Sequence, residues 1–281
     1  MTVNEAYQQL KEDLVFLYDE SEASNLANQA IEHITHLNRT ERLIHKQLLL
    51  FPEQLELLNR LSLELKTGKP IQYIFNEAWF GGLAFFVDEH VLIPRPETDE
   101  LVELITATIN PNSSVIDIGT GSGCIPISIK KKIPHTTVTA IDVSAKALEV
   151  AQKNAAKHEV NIELLHLNFL DEVSWQKFEK FDVIVSNPPY IKQAEITTMH
   201  KNVVEFEPHL ALFVEDNDAL IFYKKIAQFA LHHLNKNGFV FVEINEALGK
   251  ETLSLFEKNN LQASLIKDMQ GKDRMIKAQL K

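Results

Sequence analysis

The chain has 281 residues, 45% hydrophobic and 24% charged, a soluble globular balance with room for one large core or two modest ones. Its 39 acidic and 28 basic residues give a formal net charge of -11, which argues against a protein whose main task is coating nucleic acid. One cysteine, Cys124, excludes an internal disulfide and a cysteine zinc site, and no apolar run approaches the ~20 residues that span a bilayer. The first residues carry no charged-then-apolar leader, so the expected location is the cytoplasm.

Residues 1 to about 68 read as helices. Leu10, Leu14, Leu17 and Tyr18 recur at helical spacing, as do Leu26, Ala30, Ile34 and Leu37. Leu55, Leu58, Leu61 and Leu65 continue the pattern after Pro52, a residue suited to a first helical turn. Gly68-Lys69-Pro70 closes this region, expected to be a small helical bundle that binds a partner. Residues 69–93 are expected to be a β-hairpin linker: Ile71–Phe75 and Leu83–Val87 are strand-like, and Gly81-Gly82 makes a turn after Trp79-Phe80. A helix through Leu101, Leu104 and Ile105 opens the remaining domain, residues 94–281. Strands follow at Val115–Ile118, Thr137–Asp142, Ile162–His166, Asp182–Ser186, Phe239–Ile244 and Arg274–Leu280. Helices separate them, one after Gly123 and one capped by Ser144 and running to about Lys157. Such alternation predicts an α/β fold, a mostly parallel sheet with helices on both faces.

Between the first of these strands and its helix lies Asp117-Ile118-Gly119-Thr120-Gly121-Ser122-Gly123. Glycines there permit positive φ and let a ligand approach the main chain, at the place where open α/β sheets bind ligands. Cys124 stands where a dinucleotide fingerprint has its last Gly or Ala, and no Lys-Ser/Thr pair makes the loop a phosphate cradle. Asp142 ends the next strand, where a carboxylate can take both hydroxyls of a ribose. A nucleoside cofactor without phosphate chemistry fits, and S-adenosylmethionine is one. Asn168-Phe169, after the third strand, either meets the adenine by hydrogen bond and stacking, or leaves Phe169 in the core.

Asn187-Pro188-Pro189-Tyr190 follows the apolar run Phe181–Ser186. Neither proline can donate to a sheet, and each holds the residue before it extended. The carbonyls of Asn187 and Pro188 are thereby fixed at a strand's carboxyl end, beside the Asn187 side-chain oxygen and the flat wall of Tyr190. Two acceptors next to a wall grip a planar -NH2 group, either an amide or the exocyclic amine of a base. His33 and His36 share a helix face without a carboxylate-rich ligand set, and no metal site is expected.

The Asn-Pro-Pro-Tyr run with the glycine loop resembles amino-methyltransferases that use S-adenosylmethionine. Ile93-Pro94-Arg95-Pro96-Glu97-Thr98, Glu205-Phe206-Glu207-Pro208 and Lys267-Asp268-Met269-Gln270-Gly271-Lys272-Asp273-Arg274 are similar, within them, to the N(5)-glutamine methyltransferases of peptide chain release factors. The resemblance implies a Rossmann-like seven-stranded methyltransferase domain preceded by a helical-bundle domain that binds substrate and a β-hairpin linker. It implies cofactor binding by Gly119, Thr120, Gly121, Ser122, Gly123, Asp142, Phe169 and Asn187. It places the substrate glutamine, in the Gly-Gly-Gln motif of class I release factors, on Asn187, Pro188, Pro189 and Tyr190. Of these, Asn187, Pro188 and Tyr190 would serve the transfer itself. Neither a stable nucleic-acid partner nor a membrane is implied. Three positions depart from the family pattern: Asn168 replaces an Asp, Asn245 replaces a Gly, and Asn217-Asp218-Ala219 lacks the usual glycines. Arg95 and Glu97 are either part of the cofactor or peptide wall or a surface ion pair and helix-start contact, and Glu207 is as open. The rival readings are an N6-adenine methyltransferase, which would want a more basic N-terminal region, a ribosomal-protein glutamine methyltransferase, and a non-enzymatic adaptor.

Overall fold

The leucine periodicity of the first residues becomes four helices: α1 (Val3–Leu14), α2 (Glu20–Thr35), α3 (Arg39–Ile44) and α4 (Pro52–Leu65). Thr2 caps α1 through a bond from the Glu5 amide, and Glu5 accepts the Thr2 amide in return. Leu10, Leu14, Ala27, Ile31, Leu61 and Leu65 fill the core between these helices. The computed structural model describes all of residues 1–281, which separate into two units: residues 1–75 with 201–206, and residues 76–200 with 207–281.

Ile71–Phe75, expected as a strand, is instead a fifth helix, α5. The Tyr73 and Ile74 amides donate to Pro70 O, and Ile71 sits in the helical core with Ile74 and Phe75 packed on it. Burial against the bundle overrides the β-branched and aromatic composition. The helical unit therefore runs to Phe75 rather than residue 68, and the hairpin within 69–93 is confined to β1 (Ala78–Phe80) and β2 (Leu83–Phe85). Its turn uses Gly81 and Gly82 at φ 57° and 74°, the left-handed pair that a tight two-residue hairpin demands.

The second unit is built on a seven-stranded sheet. Its strands are β3 (Ser114–Ile118), β4 (Thr137–Asp142), β5 (Glu163–His166), β6 (Phe181–Ser186), β9 (Leu234–Glu243), β10 (Leu261–Lys267) and β11 (Asp273–Leu280). The order across the sheet is β10-β11-β9-β6-β3-β4-β5, with β11 antiparallel to both neighbours and the strands from β9 to β5 parallel. A minor pair, β7 (Ile191–Lys192) with β8 (Phe213–Val214), lies outside it. Helices α6 (Pro96–Thr106), α7 (Cys124–Lys132), α8 (Ala145–Lys157), α11 (Ile221–His233) and α12 (Gly249–Lys258) connect the strands. Two short helices, α9 (Lys201–Phe206) and α10 (His209–Leu212), interrupt the passage from β7 to β8.

Alternation along the strands sends side chains to two cores. Ile116, Ile184 and Val240 pack with Tyr223, Phe229 and Phe256 of α11 and α12 on one face. Val115, Val183, Val185 and Phe241 pack with Leu101, Ile105, Ile127 and Ile129 of α6 and α7 on the other. The chain leaves β3 toward β4 on one side and is continued by β6 on the other. This reversal opens a crevice at the carboxyl ends of the central strands.

Candidate active site

That crevice is a cavity of about 320 Å³, walled by the glycine loop, Asp142, Asn168-Phe169, Asn187-Pro188-Pro189 and Arg95 with Thr98. It lies wholly within the second unit.

The loop after β3 is anchored by Gly119 and Thr120 amides that donate to Ile141 O at 2.9 and 3.0 Å. Gly119, Gly121 and Gly123 take φ of 76°, 55° and 78°, where L side chains are strained. A Cβ on Gly119 or Gly121 would meet open space, whereas one on Gly123 would lie 3.0 Å from Ile127 Cδ1 and 3.2 Å from Ala151 Cβ. The first two glycines thus leave main chain open to a ligand, and the third lets α7 pack on α8. Asn154, fully buried on α8, fixes the loop from below: Nδ2 donates to Ser122 O and Phe86 O at 2.9 Å each, and Oδ1 accepts the Phe86 amide at 2.7 Å.

Asp142 Oδ2 accepts the Gly121 amide and Oδ1 the Ser144 amide, both at 2.9 Å. Burial raises its pKa, and these donors oppose the rise. Asp117 is wholly buried, and neither of its carboxylate oxygens nor the Thr120 hydroxyl has a hydrogen-bond partner. Burial pushes Asp117 up to about 7, with the neighbouring Thr120 hydroxyl opposing the rise and the Asp142 charge adding to it. Phe169 is both core and cavity wall, stacked on Trp175 at 5.3 Å with an edge contact to Phe229. Asn168 also reaches the cavity, but its Oδ1 accepts the Leu170 amide and so closes its own loop.

Asn187 follows β6, whose last residue, Ser186, donates to Ile118 O at 2.7 Å and so fixes the exit. Asn187 Nδ2 donates to Thr98 Oγ1 at 3.1 Å, and Thr98 Oγ1 donates to Glu243 Oε2 at 2.6 Å. Thr98 has one proton and gives it to Glu243, so it must accept from the amide; that orientation leaves Asn187 Oδ1 for the cavity. Tyr190 does not line the cavity: its hydroxyl donates to Glu243 Oε1 at 3.4 Å and its ring packs on the core, with part of its surface still accessible. Burial pushes the Tyr190 hydroxyl pKa well above its ordinary value and the Glu243 carboxyl up to about 7.

Arg95 Nη2 donates to Glu207 Oε1 at 2.6 Å, and Glu207 Oε2 accepts the Ile93 amide at 3.3 Å. Glu207 is 4% exposed, so this is a buried tie between two of the sequence motifs rather than a surface pair. The Lys267–Arg274 stretch is the β10–β11 turn, held by Asp268, which accepts the Gln270 and Lys272 amides and Arg274 Nε. Asn245 has φ -67° and caps the Ala247 amide, so no glycine is required there. Glu97 stands in the first turn of α6, where a carboxylate suits the helix end.

Asp117, Thr98, Glu243 and Asn154 were not singled out from the sequence. A signal for two of them exists, since Asp117 interrupts an apolar strand and Glu243 ends one. A charge in such a run must be paired or functional.

A Rossmann-like sheet with this loop and clamp at its switch point defines the class: the methyltransferase small domain family matches residues 95–210. The solved methyltransferase from Pyrococcus furiosus shares the fold, with a TM-score of 0.53 and 21% identity over 79% of this chain and 99% of that one. The PrmC N-terminal domain family matches residues 3–75, the span of the helical unit up to α5. A release factor glutamine methyltransferase from Flavobacterium psychrophilum is 46% identical over 99% of both chains. One from Streptococcus pneumoniae is 37% identical over 98% of both. The chain belongs to the release factor glutamine methyltransferase family.

Proposed function

We propose that the protein transfers a methyl group from S-adenosylmethionine to the side-chain amide nitrogen of the glutamine in the Gly-Gly-Gln motif of class I release factors, and thereby tunes translation termination in the cytoplasm. The observation that carries this reading is the orientation of Asn187, whose oxygen is left toward the cavity by its bond to Thr98. An acceptor there suits a substrate that brings two N–H protons.

The residues present fit the cofactor. Gly119 and Gly121 leave a cradle that a Cβ would occupy, and the Asp142 carboxylate, held by backbone amides in the cavity wall, keeps acceptor lone pairs that a ribose hydroxyl can take. The unpartnered Asp117 carboxylate suits the α-ammonium of an amino acid. Phe169 offers a ring to the base. When bound, S-adenosylmethionine supplies an electrophilic methyl on a sulfonium.

An amide nitrogen is a poor nucleophile because its lone pair is delocalised into the carbonyl. Asn187 Oδ1 and the Pro188 carbonyl accept its two protons, hold the nitrogen in line, and stabilise the positive charge that grows as its new bond forms. Tyr190 stands behind the cavity wall, bound to Glu243 and packed on the core. With its pKa raised it stays a phenol and takes no proton. None is needed before transfer, because the alkylated nitrogen is acidic enough to release its proton to solvent. Leu43, Ile44, Leu48, Leu49 and Phe51 are exposed on the helical unit, an apolar surface suited to the body of a protein substrate.

The test is a substrate panel. With labelled S-adenosylmethionine and equal amounts of release factor, ribosomal proteins and duplex DNA, the label is expected on the release factor. Label confined to DNA or to ribosomal protein would overturn the reading.

A further inference from the structure

Behind the clamp, Glu243 is 2% exposed and accepts from Thr98 at 2.6 Å and from Tyr190 at 3.4 Å, while its main-chain carbonyl accepts Tyr223 Oη at 3.0 Å. A hydrogen-bond chain of this kind has a direction. With Glu243 ionised, protons run from Asn187 to Thr98 to Glu243, and Asn187 presents an oxygen to the cavity. With Glu243 protonated, the carboxyl can donate to Thr98, Thr98 can donate to Asn187 Oδ1, and the side-chain amide turns over. Asn187 then presents an -NH2 to the cavity. Two -NH2 groups facing each other do not bond.

We infer that Glu243 and Thr98 are positioning residues whose shared proton sets the polarity of the Asn187 clamp, so that the enzyme accepts an amide substrate only with Glu243 ionised. The inference rests on the proposed function of this cavity and adds a switch to it.

Burial weighs most on that proton and opposes ionisation, and several groups offset or add to it. Arg274 on β11 favours the ionised carboxylate, as do the hydrogen bonds from Thr98 and Tyr190. Glu97 on α6 opposes it. Cys124 on α7 and Tyr223 on α11 also face Glu243 but stay uncharged, since burial raises both. Arg95 reaches the same network through Tyr190. The balance leaves Glu243 near 7, where a working enzyme crosses it.

The test is kcat against pH, at saturating cofactor and release factor, for wild type, Glu243→Gln, Thr98→Ser and Thr98→Val. Saturation removes the titration of Asp117 from kcat, because Asp117 acts on cofactor affinity. Wild type is expected to show an acid limb that rises through about pH 7, and Glu243→Gln to lose that limb. Thr98→Val is expected to lower kcat about 10- to 100-fold with cofactor Kd unchanged within about twofold, and Thr98→Ser to restore most of it. The side-chain ¹⁵N signal of Asn187 should titrate with the same midpoint in wild type and not in Glu243→Gln, a readout that survives if the valine variant fails to fold. A wild-type limb that persists in Glu243→Gln, or full kcat in folded Thr98→Val, overturns the inference while leaving the methyl transfer itself intact. A wild type that labels no release factor overturns the functional reading instead, and the switch with it.

Discussion

At Asp142 each carboxylate oxygen accepts a backbone amide, which fixes the group in the cavity wall. Asp142→Ala removes two charge-assisted acceptors at once. Isothermal titration should show cofactor binding weakened about 10²- to 10⁴-fold, since each such bond is worth about 1.5–3 kcal/mol. An unchanged Kd would remove Asp142 from the ribose site. This residue was legible from the chain because a carboxylate at the end of the second strand has one common use in this fold. Glu243 was not. Its carboxylate acquires meaning only once α6 lays Thr98 against β9, a meeting between residues 145 positions apart. Tyr190 shows the same limit: the sequence points to its ring as a wall of the site, whereas the sheet order packs that ring on the core outside the cavity lining and ties its hydroxyl to Glu243.

Among the elements, the glycine loop, α7 and α8 act as one device. Gly123→Ala forces a Cβ to within 3.0 Å of Ile127 and 3.2 Å of Ala151 at a left-handed φ. A cost of about 1–3 kcal/mol is expected from the backbone alone, or a melting point lower by about 2–4 °C per kcal/mol. Asn154→Ala leaves the Phe86 amide and the Ser122 and Phe86 carbonyls without their partner. At about 1–3 kcal/mol for each buried unsatisfied group, this variant should be the less stable of the two. Differential scanning calorimetry checks both, and wild-type melting in either would refute the packing argument. The capped start of α8 at Ser144 was readable because capping is local. Helix α5 and strand β10 were misread or missed because their identities are not. Ile71–Phe75 has strand composition but is recruited to a helical core, while β10 alternates polar and apolar residues at the sheet edge with little apolar density to announce it.

For the whole molecule, two buried carboxyls near 7 tie stability to pH. Asp117 and Glu243 hold their protons in the folded state to about pH 7, while unfolded carboxyls release theirs near 4. Their contribution to stability is therefore complete below about pH 4 and is lost as pH rises through about 7. Both tryptophans, Trp79 and Trp175, belong to the second unit, so their fluorescence reports its unfolding in urea. Without cofactor, wild type should lose about 2 kcal/mol more than Asp117→Asn between pH 5 and 7. Equal slopes would mean that Asp117 is not protonated in the folded state. Cofactor should reverse the preference, because a bound ammonium favours the ionised Asp117 and binding tightens as pH rises through 7. The central claim concerns one bond, the new one on a glutamine nitrogen held by Asn187. Tandem mass spectrometry of the release factor after reaction with wild type and with Asn187→Ala tests it most directly. The account predicts one methyl on the side-chain nitrogen of the glutamine with wild type and a rate about 10²- to 10³-fold lower with Asn187→Ala. A methyl on any other atom, or an undiminished rate in Asn187→Ala, would contradict it.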